Sequence, residues 1–188
     1  MKRLQALPHP SVTERERYAL LQGMSYEDFV AFYLDGRPLG KPANFGSAAD
    51  YVGHVGIVDV VRGVPMVIEA VTGQGVRRIE YAKWLAERPD ELVWLGRLRG
   101  LSPAKRQAVA EIAAKNLGKP YDFWDFDLVD DSGFYCSKLA WYSIWFGASL
   151  APDDDSNPDR SIWYSPKALM GSKHIELIVN PGSYGSQD

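Results

Sequence analysis

The apolar residues of this chain change period along its length. "HVGIVDVV" (54–61) and "PMVIEAV" (65–71) are β-branched runs separated by "RGV", the pattern of a hairpin. "GVRRIEYA" and "ELVWLGRLRG" read as two more strands, and "HIELIVN" as a last one. In "SPAKRQAVAEIAAKNLG" the apolar positions fall at helical spacing, with Ser102 as N-cap, Pro103 at the first position and Gly118 just past the end. A second helix is predicted from about Tyr135 to Trp145, stopping near Gly147. Residues 11–34 read as one or two helices, with "TERE" in a capping-box pattern and "SYED" as a second start. "RPLGKPANFGS" and the acidic "APDDDSNPDRS" are loops, and the small polar residues at the C-terminus read as a frayed tail. The order is helices, mostly antiparallel strands, helix, helix, strand, which is an α+β class.

Composition narrows the function classes. A chain of 188 residues can bury a sizeable core, and 46% hydrophobic residues are those of a globular protein. The net charge of −3 gives no electrostatic case for nucleic acid. No apolar run approaches the roughly 20 residues of a membrane span, so stable membrane insertion is not expected. "MKRLQALPHPSVTERERY" has no apolar stretch after its basic start, which argues against a cleaved secretory signal. The cytoplasm is the default location, with export by a route that reads no such signal left open. One cysteine excludes an internal disulfide and a four-cysteine zinc site, and nothing in the sequence calls for a cofactor or metal.

That cysteine, Cys136, falls where a helix begins, in "GFYCSKLAWYSIWFG". Unpaired N–H groups and the partial positive charge of a helix start favour a thiolate. Cys136 also shares a face with Leu139, Ala140 and Ser143, a small apolar face suited to packing on a sheet. It is therefore either a small buried hydrophobe or a nucleophile.

A nucleophilic cysteine needs a base, usually an imidazole, held by a third polar group. His9 lies in a proline-flanked N-terminal stretch, and His174 begins the last strand. His54 begins the first strand, between glycines 53 and 56 that permit close backbone approach. If the hairpin turns at Arg62-Gly63, Val61 faces Val64 and His54 faces Val71. Glu69 then lies on the face of His54, on a diagonal of about 7–8 Å between backbones. A four-residue turn gives the same parity, and a three-residue turn puts Glu69 on the other face. Glu69 is the one carboxylate in an apolar run and needs a partner if buried. Two readings stand: it pairs with His54, or with Arg77 or Arg78 on the next strand.

"YVGHVGIVDVV", "VIEA", "GKPYDFWDFD", "FYCSKLAWYSIWFGASL" and "YSPKAL" together resemble the permuted papain-like amidases, the YiiX-like, circularly permuted branch of the NlpC-type cysteine peptidases. The resemblance runs from about residue 45 to 170, and "HVGIV" and "YCSKL" are its most specific parts. His54 precedes Cys136, which is the permuted order. It implies a small antiparallel sheet, possibly barrel-like, with the Cys-bearing helix packed on it. Residues 1–44 would be a helical extension and 45–188 the catalytic domain. It implies Cys136 as nucleophile, His54 as base and then acid, Glu69 as the group orienting the imidazole, and Tyr121 as an oxyanion donor beside the Cys136 N–H. Tyr121 reads equally as a packed loop anchor, and Asp122 as a brace of its loop. Lys138 departs from relatives, which often carry an acidic or small residue there.

The function that follows is a thiol hydrolase cleaving amide bonds in peptidoglycan-type peptides or isopeptides through a thioester. An alternative is acyl transfer of the lecithin:retinol acyltransferase type, so the partner is a peptide or acyl substrate. A third is a binding module in which Cys136 is merely buried. Asp153, Asp155, Asn157 and Asp159 alternate like the start of a calcium loop, but Pro158 stands where glycine is needed and Tyr164 at the twelfth position, so they read as a solvated loop. Trp141 and Trp145 read as one packed stripe, and "VRRIEYAKW" as a solvated strand edge.

Overall fold

Arg62 and Gly63 both take positive φ, 52° and 82°, and close a two-residue hairpin. Two positive φ values match the right-handed twist of the flanking strands. Strand β1 (Ile57–Val61) therefore pairs antiparallel with β2 (Val64–Val71), with Val61 opposite Val64 and Ile57 opposite Ile68. This is the register the turn predicts. Strand β3 (Gly75–Glu80) adds to the other side of β2, with Glu69 opposite Arg77.

The computed structural model describes residues 53–89, 91, 93–159 and 161–179. The predicted N-terminal helices, His9, the proposed 1–44 extension and the tail lie outside the described residues. After β3 come α1 (Tyr81–Ala86), β4 (Leu95–Leu98), α2 (Pro103–Lys115), α3 (Cys136–Ala148), α4 (Pro166–Met170) and β5 (Ile175–Val179). Helix α2 starts as read: the Ser102 hydroxyl accepts from the Lys105 N–H at 3.3 Å and Pro103 takes the first position.

Four expectations need correction. The antiparallel strands form two sheets, β1-β2-β3 and β4-β5, and no closed barrel forms among the described residues. His54 lies just ahead of β1 and His174 just ahead of β5, rather than within them. "VRRIEYAKW" is no solvated strand edge. Arg77 and Arg78 are half-buried on β3 in ion pairs, and "YAKW" turns into α1. Helix α3 continues past Gly147 to Ala148, and Ser149, in the left-handed region at φ 55°, ends it.

Helix α3 is the centre of the fold. Leu139 packs with Ile68, Ala70 and Val76 of the sheet and with Ala113 of α2 and Phe134. Ala140, Trp141, Ile144 and Ala148 pack with Leu98, Val109, Leu128 and Tyr164. Of the face shared with Cys136, Leu139 meets the sheet while Ala140 joins this second cluster. Each of the large aliphatic side chains among them, fully buried, contributes about 1.5–3 kcal/mol. Trp141 and Trp145 stack at 5.4 Å, the packed stripe their spacing suggests.

Candidate active site

The hairpin brings His54 to Glu69. The ring Nε2 donates to Glu69 Oε2 at 2.7 Å. The chain can pass this close because position 56 is glycine: a Cβ there would lie 2.5 Å from Val67 Cγ1. Glu69 is fully buried in the apolar middle of β2. Its carboxylate is nonetheless saturated. Oε1 accepts from Arg77 Nε at 2.8 Å and Nη2 at 2.6 Å, and Oε2 accepts from Trp84 Nε1 at 2.7 Å and Arg88 Nη2 at 3.1 Å besides His54. Burial pushes the Glu69 pKa up, but hydrogen bonds from His54, Trp84 and Arg77 bring it down from 4.5 to about 2.

With Nε2 committed to the carboxylate, Nδ1 is the nitrogen left for the thiol. Cys136 is only 9% exposed and lies within hydrogen-bonding reach of His54. Burial pulls the ring's pKa down. The hydrogen bonds to Cys136 and Glu69, and the negative charge of both, override it and raise it from 6.5 to about 9. Sulfur, imidazole and carboxylate thus stand in one line.

The sulfur is at the first residue of α3, and no side chain of Tyr135 caps that end. The N–H groups of a first turn have no intrahelical acceptor, so they are available to an anion. Both neighbours of Cys136 are tied down. The Tyr135 hydroxyl accepts from the Tyr164 N–H at 3.0 Å, and the Ser137 hydroxyl donates to the Tyr164 carbonyl at 2.5 Å. Segment 162–164 therefore fixes the backbone on each side of the thiol.

Tyr121 reaches the same place by a different route. Residue 121 bridges Phe134 in parallel fashion, with Phe134 N–H on the Pro120 carbonyl at 3.0 Å and Asp122 N–H on the Phe134 carbonyl at 3.1 Å. Gly75 allows this, with φ 72° and room for no Cβ, which would meet the Lys119 carbonyl oxygen at 2.3 Å. The Tyr121 hydroxyl bonds the Thr72 side chain. Burial, then the charge of Cys136, raises its pKa to about 12. Asp122 braces the loop by accepting from the Trp124 N–H at 2.9 Å.

A family model described as permuted papain-like amidase enzyme, YaeF/YiiX, C92 family, matches residues 42–151. The chain belongs to this family. It is 31% identical over 113 residues to YiiX of Escherichia coli K12, itself described as uncharacterized. That alignment takes in 60% of this chain and 54% of the relative, so the chain spans about half the length of the curated relative it matches. Its fold is also similar to the crystal structure of YiiX from Escherichia coli O157:H7, described as a metalloprotein. The TM-score is 0.56 at 25% identity, over 67% of this chain and 81% of that one. Among the described residues of the present chain, no group of three or more His, Cys, Asp or Glu side chains stands together as metal ligands.

Lys138, read from the sequence as a departure, has a defined place in the structure. Lys138 is fully buried, ion-paired with Asp125, and its ammonium stands 5.3 Å from the Phe134 ring centre. Burial outweighs this cation and raises Asp125 from 3.8 to about 6. His174 takes no part in the line. Its Nε2 pairs with Asp154 at 2.7 Å on an exposed loop. The residues missed by the sequence reading are Trp84, Arg88 and Thr72. Arg88 lies 19 residues from Glu69 and Trp84 15, on a six-residue helix with no periodicity to reveal it.

Proposed function

We propose that this protein is a cysteine amidase that cleaves peptidoglycan-type peptides or isopeptides through a thioester acyl-enzyme. The observation that carries the reading is His54 bonded to Glu69 through Nε2 and hydrogen-bonded to the Cys136 side chain as well. His54 takes the thiol proton, and the thiolate attacks the carbonyl carbon of the scissile amide. The oxyanion that forms is held by the first-turn N–H groups of α3 and the Tyr121 hydroxyl. A phenol with a pKa of about 12 remains a donor throughout the working range. Collapse of this intermediate breaks the C–N bond, and His54 passes its proton to the departing amine. The acyl group is now on sulfur. A water molecule then gives a proton to His54 and attacks the thioester, and the thiol recovers that proton as the carboxylic acid leaves. Glu69 holds the imidazole in the tautomer that each transfer requires.

The test is incubation of wild type and Cys136→Ala with purified peptidoglycan fragments and with a lipid panel, products identified by mass. Amide cleavage lost in Cys136→Ala supports the reading. Cleavage retained in the folded variant overturns it, and a fatty acid released or transferred with no amide cut assigns the acyltransferase chemistry instead.

A further inference from the structure

We propose that Trp84 and Arg88 are positioning residues that set the basicity of His54 through Glu69. The inference rests on the thiol-hydrolase reading above. Both side chains donate to Oε2, the oxygen that also receives His54 Nε2, at 2.7 and 3.1 Å. The Arg88 guanidinium lies over the Trp84 ring, 4.3 Å from its centre, and its Nη1 donates to the Trp84 carbonyl at 3.0 Å, so the two act as one unit. Helix α1, which carries Trp84, contributes no buried residue. Core packing therefore does not account for it, whereas the two bonds to a buried carboxylate do.

The electrical consequence follows from the groups around the ring. Cys136 faces it from α3, with Tyr121 on the sulfur side, and Glu69 from β2. Behind Glu69 stand two cations, Arg77 from β3 and Arg88 beyond α1. Glu87 pairs with both, at 2.6 and 3.7 Å, and Glu91 with Arg88 at 3.7 Å. A carboxylate bonded only to the imidazole would hold the ring proton hard. One whose charge is shared among two guanidiniums and an indole N–H still orients the ring but releases the proton more readily to a leaving amine.

The test needs no substrate. In the full chain, the rate of Cys136 alkylation by iodoacetamide is followed against pH, alongside the His54 ring signals by NMR. Arg88→Gln removes a cation and leaves Oε2 to His54 and Trp84, and the His54 midpoint is expected to rise by roughly half a pH unit or more. Arg88→Lys returns it most of the way, and Trp84→Phe raises it by less. A midpoint that stays put or falls in folded Arg88→Gln overturns the proposal. If that variant loses its native circular dichroism, Trp84→Phe, which keeps a ring in place and deletes one donor, decides by the same criterion. His54→Gln separates the two levels. An alkylation profile that it leaves unchanged overturns the thiol-hydrolase reading itself, whereas a profile altered by His54→Gln but not by Arg88→Gln or Trp84→Phe overturns only the positioning role.

Discussion

Glu69 and Arg77 face each other across β2 and β3, and the arginine closes a two-pronged grip on one oxygen of the carboxylate while His54 holds the other. The two partners that the sequence offers for Glu69 are therefore not alternatives. Arg78 goes elsewhere, to the buried Asp59 at 3.0 Å.

Glu69→Gln keeps the shape and deletes the charge. Two guanidiniums are then left around a neutral amide, part of which must present a donor to donors. The variant is expected to lose about 3 kcal/mol of stability, measured by urea unfolding, and the His54 midpoint is expected to fall.

Two groups give opposite pH limbs. His54, raised from 6.5 to about 9, contributes stability that is full below pH 6.5 and lost as the pH rises through about 9. Glu69, lowered from 4.5 to about 2, contributes stability that is full above pH 4.5 and lost as the pH falls toward 2. Cys136→Ala removes the largest of the influences that raise the His54 pKa. Urea midpoints measured across pH are expected to show a weaker alkaline loss in that variant and an unchanged acid limb.

Tyr121→Phe deletes one hydroxyl and leaves the ring on its loop. If that hydroxyl binds the oxyanion, kcat falls by roughly 10²-fold while KM stays near wild type. Steady-state kinetics on the cleaved fragment checks this, and an unchanged kcat reduces Tyr121 to a packed anchor.

Lys138→Met strips the half-buried Asp125 of its cation. The expected cost is about 3–5 kcal/mol near neutral pH. It should shrink below about pH 6, where Asp125 already takes up a proton, and Lys138→Met with Asp125→Asn should recover most of it. Unfolding of both variants at two pH values checks the coupling.

Gly75→Ala places a methyl group against the Lys119 carbonyl at a positive φ. Destabilisation of at least about 1 kcal/mol is expected, together with a loss of activity larger than that of Tyr121→Phe, because the loop that carries Tyr121 must move. Thermal unfolding and kinetics on the two variants give the comparison.

What could be read in advance was local. A two-residue Arg-Gly turn sets the parity of every residue on β1 and β2, and extending that register back to position 54 puts His54 on the face of Glu69 before any long-range contact is known. A lone carboxylate among valines and an alanine announces a buried partner. The start of a helix announces where a thiol would meet unpaired N–H groups. The remainder depends on contacts with no local trace. Pairing of Leu95 with Val179 joins strands far apart in the sequence, and their composition does not say that they leave the first sheet. Helix α1 is too short for its period to emerge, so Trp84 looks like part of a charged strand edge and Arg88 carries no signal at all. Ser149 ends α3 in a conformation usually left to glycine, which is why Gly147 looked like the stop.

The order of these parts along the polymer bears on how the protein is made. A ribosome releases the imidazole and its anion together, on one short hairpin that closes within microseconds. The thiol emerges much later, and it meets them only when its helix docks. Synthesis itself therefore delays the meeting of sulfur and imidazole until the scaffold that holds them is nearly complete.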